Sequence, residues 1–332
     1  MSEQYNIPLP ARLLENWIED NTSFIQQIKK RTPVDKASER QKLAAEIRIC
    51  GITNPCQLGA IDAASIIVPL GDMLSVLLQV VAVNDGGVIT LGKPQRATGI
   101  DSHELRLAAT PMRVAAECEF LSQAKEPTIA DTSYWSFLME VNQAITRSEH
   151  SVLSALQQAV SRLVDEQIFL KMIRNPLVFP MSKTSESETF SKGVSDRQFL
   201  TEILEPGEYI QPRTLTQGTS GSFGIEKRRF RQSERTELEA FFKTRLGVTF
   251  YKPHPWSRAY RIEGHMDKLN DQQWLQSLFT AINLHTAHNR CVIEPWPQFM
   301  ADYTAKTLSG IKTLYGELNW HRTQNHYIKT RT

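Results

Sequence analysis

The sequence predicts an α/β fold in which a mixed sheet is flanked by helices. Residues 57–93 hold three apolar, partly β-branched runs separated by short turn sequences, the pattern of an antiparallel three-strand meander. Residues 101–124 then place apolar side chains at helical spacing, and residues 128–139 form a fourth strand-like stretch that contains Asp131. The predicted order is therefore three strands, a helix and a strand.

The strands of the meander are read from residues 59–70, 73–83 and 87–91. The second connection, at residues 84–87, reads Asn-Asp-Gly-Gly. These residue types favour the tight turn of a hairpin. Asp85 is therefore assigned to a turn rather than to catalysis.

The remaining elements follow from periodicity and from glycine and proline. Pro111 is expected to kink or divide the helix of residues 101–124, because its ring nitrogen cannot donate a helix hydrogen bond. Residues 1–50 read as a helical N-terminal segment, and the Gly/Ser/Thr-rich, then basic, residues 211–235 read as a mobile loop. The other predicted elements are a long helix from about Ser151 to Arg174, a strand within 177–185, a helix from Asp196 to Leu204, strands within 247–253 and 258–264, and helices near Asp271–His288 and Pro297–Tyr315.

Composition is that of a globular protein and limits the function classes. The chain has 332 residues, of which 41% are hydrophobic and 22% charged, and its formal net charge is +2, so an acidic partner would have to meet a local basic surface. The N-terminus lacks the features of a secretory signal, and the longest apolar run, Met73–Val83, is too short to span a bilayer as a helix. We expect a cytoplasmic protein with no membrane partner. Its four cysteines lack the spacing of a zinc site or a disulfide framework.

Acidic residues in and between the predicted strands are candidates for a metal site. Asp62 lies in the first strand and Asp131 in the fourth, and a serine follows each within three residues. Glu117 and Glu119 lie on the helix between these strands. If strands one and four are neighbours, three carboxylates meet at one end of the sheet. The two glutamates are about 200° apart around a helix, so one of them faces the site, and we choose Glu117.

A carboxylate cluster without cysteine or histidine suits Mn²⁺ or Mg²⁺. Two such ions roughly 4 Å apart activate a water molecule and stabilise the leaving oxygen of a phosphodiester, so no protein nucleophile is needed. The alternative for each acid alone is a structural role in a turn, a salt bridge or a strand end. The joint pattern of two strand acids and a helix acid favours the site.

Basic residues supply candidates for phosphate and DNA contacts. Lys183 follows a predicted buried strand and could touch the scissile phosphate, the alternative being a surface lysine. A basic run beside the Gly/Ser-rich loop could bind the DNA backbone, and its alternative is the solvated start of a helix. The run comprises Lys227, Arg228, Arg229 and Arg231.

Two further arginines adjoin aromatic residues. Arg258 and Arg261 lie near Trp256 and Tyr260, which together could form a phosphate-binding or base-stacking surface. For Arg261 the alternative is a structural ion pair with Glu263.

Several blocks of the sequence occur in the order found in one nuclease family. Asp62 with Ser65 and Asp131 with Ser133 resemble the acid-plus-serine strand signature of the NurA nucleases, and the family's helix glutamate falls on Glu117 or Glu119. Later blocks similar to those of the family are FPMSKTSES with Lys183, SDRQFLTEILEPGEY, and YKPHPWSRAYRIEGH with Arg261 and Glu263.

The resemblance implies a single NurA-like nuclease domain over residues 1–332, with a ribonuclease H-like mixed sheet in which the antiparallel meander is followed by a parallel strand. It implies a Mn²⁺- or Mg²⁺-dependent deoxyribonuclease, acting as exonuclease, endonuclease or both, with Asp62, Glu117 and Asp131 as metal ligands and Lys183 beside them. It also implies a homodimer that works with the hexameric HerA ATPase in DNA end processing and repair or in antiviral defence. The chain has no GxxxxGK[ST] phosphate-binding loop, so ATP hydrolysis is left to that partner.

Three positions depart from the family pattern. Ala63 and Ala64 separate Asp62 from Ser65 where the family reads Asp-Gly-Ser, and Thr132 replaces a glycine. Asp302 stands where the family has a histidine. It is a chemical substitute for a ligand, or an acid that merely favours a helix N-terminus. The runner-up function is therefore a catalytically weak or inactive nucleic-acid-binding subunit that regulates the ATPase, and an unrelated interaction protein is the remaining class.

Overall fold

A computed structural model describes most of the chain in two compact units, residues 1–45 and 46–332. The residues described are 35–70, 73–92, 95–99, 102–151, 153–182, 187–191, 193–215, 224–225, 229–286 and 294–307. In the first unit Lys36–Leu43 is a helix, and the carboxylate of Asp35 caps it by accepting from the N–H of Ser38. All other elements belong to the second unit.

The first sheet contains the predicted meander and parallel strand. Its strands are β2 (Gly59–Leu70), β3 (Met73–Val83), β4 (Ile89–Leu91), β5 (Gln95–Gly99), β6 (Thr128–Ala130) and β7 (Val178–Pro180), and its order is β4-β3-β2-β6-β7. β2 and β3 pair antiparallel, and the third strand of the meander is present as two short strands, β4 and β5, that both pair antiparallel with β3. β6 lies parallel to β2, and β7 lies parallel to β6. The predicted mixed α/β fold of ribonuclease H-like topology is confirmed.

The second sheet was not predicted. It is antiparallel and contains β1 (Ile47–Ile49), β8 (Glu208–Ile210), β10 (Leu246–Lys252) and β11 (Tyr260–His265), in the order β1-β8-β10-β11, with β9 (Arg213–Thr214) on β10. The sequence analysis identified β10 and β11, but β1, β8 and β9 have only two or three residues and carry little periodicity of their own.

Helices cover the sheets and connect their strands. The central helix, Ser102–Ser122, follows the meander. The others are Tyr134–Ser148, Ser154–Val160, Ile168–Arg174, Asp196–Ile203, Gln232–Ala240, Met266–Asn270 and Gln272–Thr286, with π-helical turns at Ser161–Asp165 and Phe241–Arg245. Residues 296–307 form a further helix, here called the C-terminal helix. None of the described helices combines the length and the apolar character needed to cross a membrane.

Several predicted boundaries are wrong for physical reasons. The central helix is continuous through Pro111, because this proline and its neighbours Met112 and Ala115 are buried, and packing offsets the missing hydrogen bond. The predicted helix from Ser151 to Arg174 is interrupted at Gln167, whose φ of 59° is left-handed. Residues 47–49, assigned to the N-terminal helical segment, form β1, and the predicted 211–235 loop contains β9 and the start of the helix Gln232–Ala240.

The turn assigned to Asp85 is confirmed. The N–H of Gly87 donates to the carbonyl oxygen of Asn84 over 3.0 Å, and Gly87 has a φ of 78°, which glycine adopts without strain. The carboxylate of Asp85 accepts from the N–H of Leu58. Asp85 therefore holds the turn against the start of β2.

The hydrophobic core has two parts, one on each face of the first sheet. Ile61 and Ala63 of β2 belong to the part that contains the central helix, whereas Ala60 belongs to the part with Gln272–Thr286 and the C-terminal helix. Because side chains alternate along a strand, Asp62 shares its face with Ala60 and Ala64. An acid is thereby placed toward the side of the sheet that the C-terminal helix covers.

Candidate metal centre

The register of two parallel strands brings Asp62 and Asp131 together. Ile61 of β2 is aligned with Ala130 of β6, the last residue of that strand. The next residue on each chain is therefore Asp62 on β2 and Asp131 just beyond β6. β2 continues to Leu70, so Asp62 lies where the neighbouring strand has ended and the sheet opens.

Asp131 follows its strand rather than lying inside it, which corrects the prediction. Residues 128–130 are extended, and a helix begins at Tyr134. Ser133 caps that helix, because its hydroxyl accepts from the N–H of Ser136 over 3.0 Å. Serine after the acid thus ends the strand and starts a helix, which places Asp131 in the short bend between them.

The central helix directs Glu117 inward and Glu119 outward. Glu117 is 6% exposed, and its carboxylate accepts from Arg113, one turn earlier, over 3.2 Å. Glu119 forms an ion pair with Arg162 on the other side of the helix. Of the two glutamates, Glu117 is therefore the one close to Asp62 and Asp131, whose charges act on it.

The C-terminal helix adds a fourth carboxylate, Asp302. The side chain of Asp302 hydrogen-bonds with that of Asp62, and Lys306 contacts Asp302 over 2.7 Å. Asp302 lies in the middle of the helix of residues 296–307. The alternative that it occupies a helix N-terminus is therefore wrong. Ala301 and Ala305, both 0% exposed, seat this helix in the core beside β2.

Burial and mutual repulsion weaken two of these acids. Burial, with the nearby charges of Asp302 and Asp131, raises the pKa of Asp62 to about 7, although the N–H of Ala63 opposes the shift. Burial also raises the pKa of Glu117 to about 7, where Arg113 lowers it and the charges of Asp62 and Asp131 raise it. Two of the four acids, Asp62 and Glu117, are therefore weaker acids than exposed carboxyl groups.

The oxygen atoms of these acids are the ligand type that a hard divalent cation prefers, but the side chains are not arranged around an ion. Four carboxylates offer the oxygen ligands that Mn²⁺ and Mg²⁺ prefer. Within the described ranges, however, no group of three or more His, Cys, Asp or Glu side chains is arranged to hold a metal ion. The side chain of Asp302 contributes to the raised pKa of Asp62, so a cation bound between these two acids would replace the proton that Asp62 retains near neutral pH.

Two buried polar residues near this site were missed by sequence reasoning. Gln298, 1% exposed, lies one turn before Asp302, and its side-chain oxygen has no hydrogen-bond partner among the described residues. Arg197, 6% exposed, feels the charge of Asp131. Arg197 falls in the block SDRQFLTEILEPGEY that resembles the NurA family, which was the available signal for it, whereas no sequence signal pointed to Gln298.

The structure describes the contacts of only some of the predicted DNA-binding residues. Lys183, Lys227 and Arg228 lie outside the described residues. Arg229 forms a 3.2 Å ion pair with Asp165, and Arg231 precedes the helix Gln232–Ala240, with its N–H donating to Glu234. These last contacts are those of a helix start.

The aromatic-arginine block is partly buried. Trp256 is 49% exposed and stacks on His254 with ring centroids 4.6 Å apart, and Arg258 is also exposed. Arg261 instead forms a buried 2.8 Å ion pair with Glu263 and donates to Ser187. The surface available to a nucleic acid here therefore consists of Trp256 and Arg258.

Asp62 and Asp131 thus lie side by side where two paired parallel strands of the mixed sheet separate. No family model matches the sequence, and no curated protein matches it. Among solved structures, the NurA nuclease from Sulfolobus solfataricus superimposes with a TM-score of 0.56 at 12% identity, over 92% of this chain and 96% of that one. The chain therefore has the fold of the NurA nucleases, and the resemblance seen in the sequence is confirmed at the level of the fold.

Two further NurA crystal structures are similar at lower scores. One gives a TM-score of 0.48 at 9% identity and covers 89% of this chain and 94% of its own. The other, NurA bound to dAMP and manganese, gives 0.47 at 9% identity, covering 90% and 94%.

Proposed function

We propose that this protein is a metal-dependent deoxyribonuclease. The observation that supports the proposal is that Asp62 and Asp131 follow aligned residues of two paired parallel strands, in a chain with the fold of a NurA nuclease. Because burial and neighbouring acids raise the pKa values of Asp62 and Glu117, a divalent cation bound there would relieve the repulsion between them.

Asp62, Glu117 and Asp131 are the proposed ligands of Mn²⁺ or Mg²⁺, with two ions expected and Asp302 in the place of the family's histidine. When bound, the ions activate water and stabilise the leaving oxygen of the phosphodiester. The carboxylates must first release their protons, which Arg113 assists at Glu117. Lys183 is the proposed contact to the scissile phosphate.

DNA binding is proposed to be electrostatic and independent of sequence. Arg258 and the basic residues before the helix Gln232–Ala240 would contact the backbone, so affinity should fall with salt. Those residues are Lys227, Arg228, Arg229 and Arg231, and Arg261 is the weakest of the proposed contacts because it is already paired with Glu263. Exonuclease and endonuclease activity are both compatible with this surface.

The proposed assembly is a homodimer that receives DNA from a HerA-like hexameric ATPase. The absence of a phosphate-binding loop from the sequence supports a separate source of ATP hydrolysis. Its biological role would be DNA end processing in repair, or destruction of invading DNA.

A second candidate function is a nucleic-acid-binding subunit that regulates the ATPase without cutting DNA. Two observations favour it. Asp302 stands where the family pattern has a histidine, and within the described ranges no group of three or more His, Cys, Asp or Glu side chains is arranged to hold a metal ion.

One experiment separates the two candidates. Linear duplex and single-stranded DNA are incubated with the purified protein, with and without the ATPase, in Mn²⁺ or Mg²⁺, and the assay is repeated with Asp62→Ala and Asp131→Ala. If the protein is a nuclease, the wild type should degrade DNA and neither of the two variants should. Degradation that survives both substitutions would exclude the proposed site, and intact DNA under every wild-type condition, with binding retained, would favour the regulatory subunit.

A further inference from the structure

Arg197 is a buried arginine with an incomplete set of partners. It lies in the first turn of the helix Asp196–Ile203 and is 6% exposed. Its Nε donates to the carbonyl oxygen of Ala259 over 3.2 Å. In the described part of the chain its two terminal nitrogens have no hydrogen-bond partner, and neither is sealed from solvent. A guanidinium ion held this way presents two donors in a fixed orientation.

The surrounding contacts hold the Arg197 side chain in place. Ala259 is 0% exposed, and its N–H donates to the hydroxyl of Thr201 over 2.9 Å. That hydroxyl donates in turn to the carbonyl oxygen of Arg197 over 2.6 Å. The segment before β11 and the helix are thereby tied to each other on both sides of the arginine. The side chain of Arg197 therefore loses its conformational entropy when the protein folds, and little further entropy is lost when a ligand binds.

Arg197 lies within electrostatic range of Asp131, one of the clustered acids. Burial lowers the pKa of its guanidinium ion, the positive charge of Arg258 lowers it further, and the charges of Asp131 and Glu294 raise it. No ion pair of Arg197 with either acid is formed, so the cation is attracted to the site without being neutralised there.

A second polar group with an unpaired atom, Gln298, is connected through Met181 to the strand that ends just before Asp131. Gln298 donates from its amide nitrogen to the carbonyl oxygen of Met181, and Met181 donates from its N–H to Ala130, the residue before Asp131. The side-chain oxygen of Gln298 remains buried and unpaired among the described residues. A ligand that brings both an anionic group and a cation would satisfy Arg197 and Gln298 together, and a phosphodiester with its metal ion has this composition.

We propose that Arg197 binds the non-bridging oxygens of a backbone phosphate of the nucleic acid at the carboxylate cluster. The proposal rests on the proposed nuclease function and adds a substrate contact to it. Since the Arg197 side chain is largely buried and anchored through its Nε, Arg197 orients the strand at the site, whereas exposed Arg258 contributes longer-range attraction. A lysine at position 197 would keep the charge but lose the two-pronged contact.

The test uses Arg197→Gln and Arg197→Lys, with Arg174→Ala as the matched control. Arg174 is a surface arginine paired with Glu237 and remote from the acids. Binding of a single-stranded oligonucleotide is measured in Ca²⁺ at several salt concentrations, and cleavage is measured in Mn²⁺. A series of oligonucleotides carries one neutral methylphosphonate linkage at successive positions.

The proposal expects Arg197→Gln to weaken binding about tenfold or more and to reduce the salt-dependence slope by about 0.7. One methylphosphonate position should weaken the wild type but leave Arg197→Gln without further loss, because the partner of that phosphate is already absent. Arg197→Lys should fall between them, and Arg174→Ala should match the wild type. A purely structural role would not single out one phosphate position.

Equal methylphosphonate penalties in the wild type and in Arg197→Lys at every position would overturn the proposal. This comparison also decides the case if Arg197→Gln fails to fold. A wild type that cleaves DNA while Arg197→Gln has unchanged affinity and salt slope would reject the arginine contact and leave the nuclease function standing. A wild type that neither binds nor cuts DNA would reject both.

Discussion

At the scale of single residues, Asp62 determines how acidity and stability are linked. Its pKa is about 7 in the folded protein, against an ordinary value of 3.8. Between these two values the folded state retains a proton that the unfolded state has released, so the stability contributed by this group falls as pH rises through that window. Above pH 7 the folded protein carries a buried charge that destabilises it unless a cation is bound.

Asp62→Asn is therefore expected to stabilise the metal-free protein at pH 8. The gain should be roughly 1–3 kcal/mol, because a neutral amide removes the repulsion, and it should shrink toward pH 4, where Asp62 is already protonated. Urea unfolding in EDTA across this pH range measures the effect. The exposed Glu166→Gln serves as the control, and an Asp62→Asn effect that does not change with pH would contradict the explanation.

Arg113 affects the pH at which Glu117, a proposed metal ligand, loses its proton. Because Arg113 lowers the pKa of Glu117, Arg113→Met should raise it further and shift the onset of Mn²⁺ binding to higher pH. Calorimetric Mn²⁺ titrations at several pH values give the midpoint. Arg106→Met, an exposed change on the same helix, is the control, and coincident midpoints for the two variants would refute the assigned role.

At the scale of elements, the C-terminal helix completes the acidic cluster. Its packing depends on two small residues against the core beside β2, Ala301 and Ala305. Asp302 reaches Asp62 only if the helix remains close to the sheet. The same is true of Asp131, whose position depends on the strand that ends at Ala130 and the helix that Ser133 caps.

Ala305→Leu should displace this helix without altering a carboxylate. Overpacking a filled site costs roughly 1–3 kcal/mol. The loss of Mn²⁺ affinity should accompany the loss of stability, as followed by calorimetry and thermal unfolding. Tyr303→Leu, on the exposed side of the same helix at 59% exposure, should change neither property. Unaltered metal binding by Ala305→Leu would show that the helix position is not needed.

At the scale of the whole second unit, Glu263 links the second sheet to the helix that follows Asp131, and its charge is paired with Arg261 on the same strand. Glu263 of β11 binds Arg261 and also accepts from the N–H of Tyr134, at the start of the helix that follows Asp131. Both side chains of the ion pair are almost inaccessible, at 8% for Arg261 and 1% for Glu263. The contact links the second sheet to the candidate metal centre.

Arg261→Met should therefore lower the free energy of unfolding by about 3–5 kcal/mol, because it leaves the charge of Glu263 buried and uncompensated. Arg258→Met, an exposed neighbour, should leave the unfolding temperature unchanged and weaken DNA binding, most at low salt. Thermal unfolding and DNA titration of both variants test this division. If Arg261→Met has wild-type stability and has lost only DNA affinity, the structural role assigned to Arg261 is wrong.

Much of the first sheet was predictable because its signals are local. The long apolar runs of β2 and β3, the Asn-Asp-Gly-Gly turn and the periodic central helix each depend on neighbouring residues in the chain. The second sheet was not predictable in the same way, because β1, β8 and β9 are too short to show a period and are stabilised by strands distant in sequence. Pro111 misled for the converse reason, since packing from other elements overrides its local preference.

The sequence by itself determined which acids are available and that Asp62 and Asp131 occupy corresponding places on two strands. Only the tertiary structure decided that Glu117 is directed inward while Glu119 pairs with Arg162, and that Asp302 lies near Asp62. The reason is physical: the direction of a side chain on a strand or helix follows from local periodicity, whereas the meeting of groups about 240 residues apart, as for Asp62 and Asp302, depends on how helices pack against the sheet.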